Sequence, residues 1–447
     1  MKAFKAYDIR GVWEVDFNEA DIYRIGFFLP KLLNTNRILV GRDIRHSSDT
    51  VFNALSKGIT DAGADVDNAG LTTTPLIYWA TGKFDYQGSV MITASHNPKN
   101  HNGLKISGAG VTPVGYDTGL AQLEKWFEND EIVVSDKKGV INTIEPQPAY
   151  LDFLKTYVRE YDNIKFGIDC SNGMACLFIK QLVGNQAYYI NDIADGNFPG
   201  HEPNPLEPEN QEQIKQLVIN RQCDFGLIFD GDADRVMFID ENGKFVSPDL
   251  IIALMGHYFF EFNGREGLVL QDIRSSKAIG EYLAQFGTTV ETWRVGRAYG
   301  AAKLKEINGL YGGELAGHYY FRDFYYSDSG LVAALIVLDL LSRFKASGFT
   351  LSQLINNITP YYNSGEINFK VNEKTAAMAA VVAFYTQKEK PAKYMDFDGY
   401  RLDYADFWLN VRPSNTEPYL RFIAEATTKE KLSELIQTTT SIIQEYK

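Results

Sequence analysis

The chain has 447 residues, of which 45% are hydrophobic and 23% charged, and its formal net charge is −13. This length exceeds what one hydrophobic core supports and favours roughly two to four domains. The acidic balance argues against nucleic acid or an anionic membrane surface as a partner. Three cysteines make neither a disulfide framework nor a zinc-ligand pattern, and the most apolar run, residues 331–341, is too short to span a bilayer. No signal-peptide core is seen at the start, so we expect a cytoplasmic protein, either a monomer or a small homo-oligomer.

Short apolar runs alternate with amphipathic stretches over about the first three quarters of the chain. Five of these runs predict buried strands: residues 37–40, 89–92, 165–168, 225–229 and 267–270. Residues 49–63 and 327–344 have helical spacing, and such alternation is typical of α/β layers with largely parallel sheets.

The last part of the chain has a different pattern. Residues 407–412 and 419–426 flank a polar loop, which predicts a β-hairpin, and a helix-like stretch follows. This is an α+β pattern, whereas three α/β blocks of similar length precede it. The changes of pattern place boundaries near residues 145, 248 and 363, so the predicted domains are residues 1–145, 146–248, 249–362 and 363–447.

The stretch "FGLIFDGDADRVMFID" (225–240) ends an apolar strand in Asp230, Asp232 and Asp234, followed by Arg235. Three carboxylates at alternate positions repel one another unless a cation lies between them, and their oxygens suit a hard ion such as Mg²⁺. An exposed acidic turn, a calcium loop and an aspartyl-phosphate phosphatase are the alternatives. A calcium loop would need glycine where Arg235 stands, and the phosphatase has no evident use for a third aspartate followed by arginine.

The stretch "VRPSNTEPYLR" (411–421) is a polar loop between two predicted strands. An arginine fork with several hydroxyl and amide donors is what a phosphate dianion needs. A polar hairpin loop without a ligand is the alternative, and it is weaker for the whole set than for any one residue. The candidate ligand-binding residues here are Arg412, Ser414, Asn415, Thr416 and Arg421.

The stretch "YGGELAGHYYF" (311–321) offers Glu314 and His318 from one glycine-rich loop. A carboxylate and an imidazole suit sugar hydroxyls or proton transfer, although a glycine-rich turn with an incidental histidine explains the pattern equally well. Isolated basic residues also lie near turns. Among them Arg10 and Lys105 stand out, and we expect most of the others to hold loops together: Arg42, Arg45, Arg274 and Arg297.

The stretch "TASHNP" (93–98) consists of residues common in turns. A metal loop, a phosphate loop, a hydroxyl-reading loop and a serine together suit phosphoryl transfer on a phosphorylated sugar, and Ser95 is then intelligible as the phosphoryl carrier. Neighbouring side chains of an extended chain point to opposite faces, so His96 need not be its base.

Four of these motifs, "TASHNP", "DGDADR", "GELAGH" and "RPSNTEP", occur in one order along the whole chain. In this the chain resembles the α-D-phosphohexomutase family, nearest to its phosphoglucomutase/phosphomannomutase members. The resemblance implies an α/β fold with three related α/β domains plus a C-terminal α+β domain around a central active-site cleft. It also implies an enzyme that interconverts hexose 1-phosphates and hexose 6-phosphates through a phosphoserine and a hexose 1,6-bisphosphate, which also serves as activator.

The resemblance assigns roles to particular residues. Ser95 would carry the phosphoryl group, and Mg²⁺ would be held by Asp230, Asp232, Asp234 and an oxygen on Ser95. Arg10, Lys105 and His318 would line the reaction centre as catalytic residues, with both His318 and Lys105 as candidates for moving protons, and Glu314 would read the sugar. The phosphate that does not react would be held by Arg412, Ser414, Asn415 and Thr416.

Three positions bear on the choice of sugar. Relatives usually carry serine at Ala316 and commonly histidine at Arg297, where a permanent cation suits contact with phosphate. Glucosamine-specific relatives tend to have glutamine at Leu315, so leucine favours glucose or mannose phosphates. A phosphoglucosamine mutase and a non-catalytic sugar-phosphate-binding relative are the alternatives.

Overall fold

A computed structural model describes residues 2–414 and 419–446. The described residues form four β-sheets, which we number I to IV in chain order. Sheets I to III mix parallel and antiparallel pairs and carry helices, whereas sheet IV is antiparallel throughout. The predicted α/β fold with a C-terminal α+β unit is confirmed, while the exact domain boundaries stay predictions.

Sheet I has the strand order β1-β5-β4-β2-β3-β7, with β6 paired to β5. Its strands are β1 (Ile9–Val12), β2 (Arg37–Arg42), β3 (Asp65–Leu71), β4 (Gly88–Ile92), β5 (His101–Gly108), β6 (Thr112–Pro113) and β7 (Ile141–Thr143). Its helices are α1 (Glu19–Leu33), α2 (Ser48–Asp61), α3 (Thr74–Lys83) and α4 (Leu120–Asn129). All five residues of β4 are buried, as expected of a central strand covered on both faces.

Sheet II has the strand order β12-β11-β10-β8-β9. Its strands are β8 (Phe166–Asp169), β9 (Ala187–Ile190), β10 (Phe225–Phe229), β11 (Val236–Asp240) and β12 (Phe245–Val246). The helices of this part are α5 (Gln147–Lys155), α6 (Ile179–Val183) and α7 (Glu212–Arg221).

Sheet III has the strand order β14-β13-β15-β16-β17. Its strands are β13 (Val269–Asp272), β14 (Val290–Trp293), β15 (Tyr311–Gly313), β16 (Tyr319–Phe321) and β17 (Ser327–Asp328). The helices are α8 (Pro248–Gly256), α9 (Ala278–Leu283), α10 (Arg297–Glu306), α11 (Gly330–Ala346) and α12 (Leu351–Ile358).

Sheet IV has the strand order β18-β23-β22-β21-β20, with β19 paired to β23. Its strands are β18 (Tyr362–Asn363), β19 (Ile367–Lys370), β20 (Lys393–Met395), β21 (Tyr400–Asp403), β22 (Phe407–Pro413) and β23 (Tyr419–Ala426). The helices are α13 (Lys374–Lys388) and α14 (Lys429–Gln444). The predicted C-terminal hairpin is therefore β22–β23.

Three predicted elements begin later than expected. The strand predicted at residues 165–168 is β8, which starts at Phe166. The strand predicted at residues 267–270 is β13, which starts at Val269, and Gly267 before it has a φ of +154°. The helix predicted at residues 327–344 is α11, which starts only at Gly330. Residues 327–328 pair as β17, and the Ser329 hydroxyl caps the helix by accepting from the Val332 amide. This helix is buried as far as Leu341. Within the described ranges we find no helix whose length and apolar character would let it cross a bilayer.

Sheets I to III share one core, which fixes their relative positions. Tyr150 on α5 lies at its centre, with its ring 5.5 Å from Trp79 of α3 and 5.4 Å from Phe178 before α6. Phe324, from the segment after β16, lies 6.5 Å from the same ring. A buried aromatic cluster of this kind contributes both apolar area and specific ring contacts.

Candidate active site

Each of the four motifs lies on a loop between two adjacent antiparallel strands. The loops join β4 to β5, β10 to β11, β15 to β16 and β22 to β23. In sheets I to III the first strand of each pair is also paired in parallel on its other side. Ligands of such sheets bind beyond the carboxyl ends of the parallel strands, and this topology places the Ser95, aspartate and Glu314 loops at those ends.

Ser95 lies in the loop after β4, and only 2% of its surface is exposed. Its Oγ donates to Asp230 Oδ2 at 2.7 Å and accepts from Arg235 Nη2 at 3.1 Å. Its φ is +50°, so the backbone at Ser95 is left-handed and the extended conformation assumed from sequence is wrong. The hydroxyl points to the aspartate loop, while burial and nearby cations lower the pKa of His96 well below its usual value.

Arg45 holds the Ser95 loop in this conformation. Its guanidinium donates to the carbonyl oxygens of Ser95 at 2.8 Å and of Asn97 and Pro98 at 2.6 Å each. Asp43 accepts from Arg45 Nε at 3.1 Å. Because Arg45 is buried and each N–H of its guanidinium is directed at a loop carbonyl or Asp43, its role is to shape the loop, as we expected for most of the isolated arginines.

Asp230, Asp232 and Asp234 are fully buried, and one carboxylate oxygen of each lies within 4.8 Å of the others. Lys105 Nζ donates to Asp232 Oδ2 at 2.6 Å and to Asp234 Oδ2 at 2.5 Å. Burial disfavours all three charges, yet Lys105 acts with Thr74 on Asp232 and with His318 and Arg235 on Asp234, and together these groups hold the pKa values of both carboxyls below their usual range. Burial and the other two aspartates raise the pKa of Asp230, against the lowering effect of Arg235.

The aspartate loop fits a divalent metal ion. Asp232 Oδ1 and Asp234 Oδ1 are buried and have no hydrogen-bond partner within the described part of the chain, which is costly for a carboxylate unless a cation compensates it. The donor set consists of carboxylate oxygens beside the Ser95 hydroxyl, and hard cations prefer oxygen ligands. Asp230, Asp232, Asp234 and Ser95 are therefore the residues that could hold the ion.

His318 is joined to the aspartate loop from the neighbouring sheet. Its Nδ1 lies 2.6 Å from Asp328 Oδ2 and 3.9 Å from Asp234 Oδ1. Burial favours the neutral ring, but Asp234 and Asp328 outweigh burial and raise the pKa of His318. Asp328 also accepts from Arg297 Nε at 3.1 Å, so one buried carboxylate orients two predicted site residues.

Arg297 is a cation with a buried nitrogen that makes no hydrogen bond within the described residues. Its guanidinium lies 3.9 Å from the Tyr78 ring centroid, and its buried Nη2 has no hydrogen-bond partner among the described residues. Arg10 donates to Asn97 Oδ1 at 3.1 Å and pairs with Asp8 at 2.5 Å, so it borders the Ser95 loop.

Glu314 lies at the end of β15 and is buried. Its Oε1 accepts from the Tyr320 hydroxyl at 2.6 Å, and its Oε2 lies 3.8 Å from Arg274. Burial is the largest contribution to the raised pKa of this carboxyl. Asp272 holds the Glu314 loop by accepting from the Leu315 amide at 2.8 Å.

The phosphate loop is described only at its edges. Arg412, at the end of β22, is buried and donates from Nη2 to Asp398 Oδ1 at 3.3 Å. Arg421 pairs with Glu366 at 2.9 Å, and the Ser414 amide donates to the Tyr419 carbonyl at 2.9 Å. Asn415 and Thr416 lie outside the described residues.

The structure adds four residues that the sequence did not assign, and it gives Arg274, which was predicted only to hold a loop, a place in the site. Arg235 contacts Ser95, Thr74 donates to Asp232, and Asp328 orients His318. Asp398 holds Arg412, and Arg274 lies between Glu314 and Glu366. Of the four unassigned residues, only Arg235 could have been found from its neighbours in the sequence, since it directly follows the three aspartates.

Comparison with known proteins covers nearly the whole chain. Four family models match in order, described as phosphoglucomutase/phosphomannomutase domain I at residues 1–131, domain II at 148–243, domain III at 247–362 and the C-terminal domain at 366–440. A Xanthomonas campestris protein named phosphohexose mutases is 34% identical over 431 residues, which is 95% of each chain. An Escherichia coli K12 phosphomannomutase is 33% identical, again over 95% of each chain.

A solved structure of a phosphoglucomutase/phosphomannomutase family protein from Burkholderia thailandensis has the same fold. It superposes with a TM-score of 0.90 at 24% identity, over 100% of this chain and 97% of that one. The matched family models, the full-length relatives and this shared architecture agree with one another. The chain therefore belongs to the phosphoglucomutase/phosphomannomutase family.

Proposed function

We propose that this protein is a phosphohexomutase that interconverts the 1-phosphates and 6-phosphates of glucose or mannose, with Ser95 as the phosphoryl carrier. The observation that carries the proposal is the hydrogen bond from Ser95 Oγ to Asp230 at 2.7 Å, within a buried aspartate cluster. The names of the relatives, phosphohexose mutases and phosphomannomutase, support the substrate class. Mg²⁺ is the inferred metal, and hexose 1,6-bisphosphate the inferred activator.

The proposed reaction consists of two phosphoryl transfers. A hydroxyl of the hexose monophosphate attacks the phosphorus on Ser95, the bond from phosphorus to Ser95 Oγ breaks, and a hexose 1,6-bisphosphate results. The bisphosphate then reorients in the site so that its other phosphoryl group faces Ser95. Ser95 Oγ takes that group, and the isomeric monophosphate leaves. Such transfers need positioning and charge neutralisation more than covalent chemistry, and Mg²⁺ held by the aspartates and Ser95 would neutralise charge on the transferring group.

His318 is the group that we propose takes the sugar hydroxyl proton. Its Nδ1 is bound to Asp328, which fixes the tautomer and leaves Nε2 for the substrate. The two nearby carboxylates outweigh the effect of burial and raise the pKa of His318, which makes the imidazole a better proton acceptor. Lys105 is engaged with two aspartates, so we assign it to charge balance.

The remaining predicted residues would bind the substrate. Glu314 would accept from ring hydroxyls, and the free Nη2 donor of Arg297 would contact a phosphate oxygen. Arg10, on the border of the Ser95 loop, would contact the transferring phosphoryl group. The phosphate that does not react would be bound by Arg412, Ser414, Asn415, Thr416 and Arg421.

A mutase assay on the purified protein tests the proposal. The assay contains Mg²⁺ and a trace of hexose 1,6-bisphosphate and compares glucose, mannose and glucosamine 1-phosphates. We expect turnover on glucose or mannose 1-phosphate, and a loss of about 10⁴-fold or more in Ser95→Ala, because removing a nucleophile costs at least this much.

Ser107→Ala is the matched control. Ser107 lies in the neighbouring strand β5, is buried, and its hydroxyl has no hydrogen-bond partner in the described part of the chain. We expect this variant to keep its activity and the unmodified protein to carry phosphate on Ser95. Turnover that survives in Ser95→Ala would refute the carrier role, and glucosamine 1-phosphate as the best substrate would refute the sugar assignment.

A further inference from the structure

Two of the three cysteines lie side by side beneath the aspartate loop. Cys170 follows β8, and the Cys176 side chain lies near enough to interact electrostatically with its thiol. Both also face the end of β9, since the Cys170 amide donates to the Ile190 carbonyl at 3.2 Å and Cys176 Sγ lies 3.7 Å from the Asn191 carbonyl. The two cysteines are therefore neighbours at the same end of sheet II.

The segment between the cysteines folds back on itself. The Gly173 amide donates to the Cys170 carbonyl at 2.8 Å, and the Cys176 amide donates to the Gly173 carbonyl at 3.4 Å. Ser171 and Asn172 have φ values of +51° and +50°, a left-handed conformation that costs a residue such as serine free energy. This conformation persists because the surrounding contacts hold the segment, so a change in those contacts would let the backbone move.

This segment supports the aspartate loop directly. The Met174 amide donates to the Gly231 carbonyl at 2.9 Å, and the Ser171 hydroxyl donates to the Phe229 carbonyl at 2.6 Å. A Cβ on Gly173 would lie only 2.6 Å from the Gly231 oxygen, so the two backbones are in contact. Gly231 lies between Asp230 and Asp232, so a shift of the segment would move the carboxylates.

We propose that Cys170 and Cys176 form a reversible disulfide that inactivates the enzyme by displacing the aspartate loop. The inactivation depends on the proposed function, whereas the disulfide does not. The oxidant is a peroxide: the Cys176 sulfur attacks a peroxide oxygen, the O–O bond breaks, and a sulfenic acid forms with release of water or an alcohol. Cys170 sulfur then attacks the Cys176 sulfur, the S–O bond breaks, and water leaves. Two thiols thus lose two electrons and two protons, which reduce the peroxide.

Cys176 is the thiol that the oxidant meets first. It is partly exposed, whereas Cys170 and Cys223 are buried. The interaction with Cys176 and burial raise the pKa of the Cys170 thiol, so Cys170 reacts slowly with peroxide and stays reduced for the second, intramolecular step. Lys180, although paired with Asp192, lies near enough to interact electrostatically with both sulfurs. Burial raises the pKa of Cys223 to about 11, which makes it a suitable unreactive control.

Oxidation of the full-length protein with hydrogen peroxide tests the proposal. After blocking with N-ethylmaleimide and tryptic digestion, both cysteines lie in the single peptide of residues 166–180. We expect this peptide to be two hydrogens lighter and unlabelled. We also expect mutase activity to fall about 10²-fold, the effect of displacing catalytic groups by roughly 1 Å. Dithiothreitol should restore the activity, which separates a disulfide from methionine oxidation, since a dithiol does not reverse the latter.

Two variants complete the test. Cys176→Ser should keep its basal activity and resist peroxide, whereas Cys223→Ser should respond like the parent protein. Labelling of both cysteines by N-ethylmaleimide after oxidation would overturn the disulfide. A disulfide without loss of activity, or equal inactivation of Cys176→Ser, would overturn the switch. If the reduced protein has no mutase activity, the proposed function fails while the peptide mass still decides the disulfide.

Discussion

At the scale of single residues, Lys105 balances the charge of the aspartate loop. It is buried, and its ammonium lies within 2.6 Å of an oxygen of Asp232 and of Asp234. Burial alone would lower the pKa of Lys105, but these two carboxylates outweigh it and raise the pKa. Removal of the ammonium would leave buried carboxylates without a counter-charge, which is more costly than losing a surface pair.

We predict that Lys105→Met destabilises the metal-free protein by about 3–5 kcal/mol, the usual cost of breaking a buried ion pair, and that Mg²⁺ restores part of this. Urea unfolding in EDTA and in Mg²⁺ measures both effects. Lys138→Met is the control: Lys138 pairs with Asp61 at 2.7 Å, but its side chain is 58% exposed, so we expect a loss of at most about 1 kcal/mol. Equal losses in the two variants would contradict the charge-balancing role.

The residues whose roles could be predicted from the sequence lie in local motifs, whereas the contacts that could not be predicted join residues far apart along the chain. The roles of Ser95 and of the three aspartates could be predicted from their own motifs, whereas their meeting at one site was implied only by the family resemblance. Thr74 and Asp232 are 158 positions apart and Ser95 and Asp230 are 135 apart, and no local pattern carries such contacts. The left-handed φ of Ser95 was not predictable from the sequence either, since the loop is held by contacts with distant residues such as Arg45, 50 positions away.

At the scale of elements, the alternation of strands and helices was predictable and the contacts between sheets were not. The sequence predicted β10 to the residue and the β22–β23 hairpin closely, because apolar runs ended in turn residues. It did not predict that Glu425 of β23 is buried against the segment after β13. There Glu425 Oε2 accepts from the Ser276 hydroxyl and the Trp408 indole, each at 2.6 Å, and Oε1 accepts from Asn363 at 2.8 Å.

This contact predicts a pH dependence. Burial and the nearby Asp249 raise the pKa of Glu425 above the usual 4.5 of the unfolded chain. Folding therefore favours the protonated acid, so the stabilisation from this group is complete below pH 4.5 and is lost as the pH rises through the raised value. Glu425→Gln cannot ionise, and we expect its stability relative to the parent protein to increase across that interval.

Unfolding midpoints of both proteins between pH 4 and 8 measure this difference. Glu434→Gln, a change on the half-exposed outer face of α14, should follow the parent protein at every pH. A constant difference between Glu425→Gln and the parent would show that Glu425 does not titrate in this range.

At the scale of the whole molecule, the question is how sheet IV is held against sheet III. Asp398 makes one such link, since its Oδ1 accepts from Arg412 at 3.3 Å and its Oδ2 accepts from the Val295 amide at 2.8 Å. Arg401 makes another by donating to the carbonyls of Ile273 at 2.9 Å and Ser275 at 2.5 Å. Arg412, which we propose binds phosphate, is thus also part of a link between sheets III and IV.

Two variants separate these roles of Arg412. If Arg412 binds the phosphate, Arg412→Ala should raise KM about 10- to 150-fold, the effect of losing a charged hydrogen bond of roughly 1.5–3 kcal/mol. Asp398→Asn keeps the guanidinium but weakens its ion pair, and we expect less than about a threefold change in KM, because the phosphate replaces the lost counter-charge. Steady-state kinetics on the best hexose 1-phosphate decides between them. If instead the link between sheets III and IV is what matters, Asp398→Asn will raise KM as much as Arg412→Ala does, and phosphate binding by Arg412 would have to be abandoned.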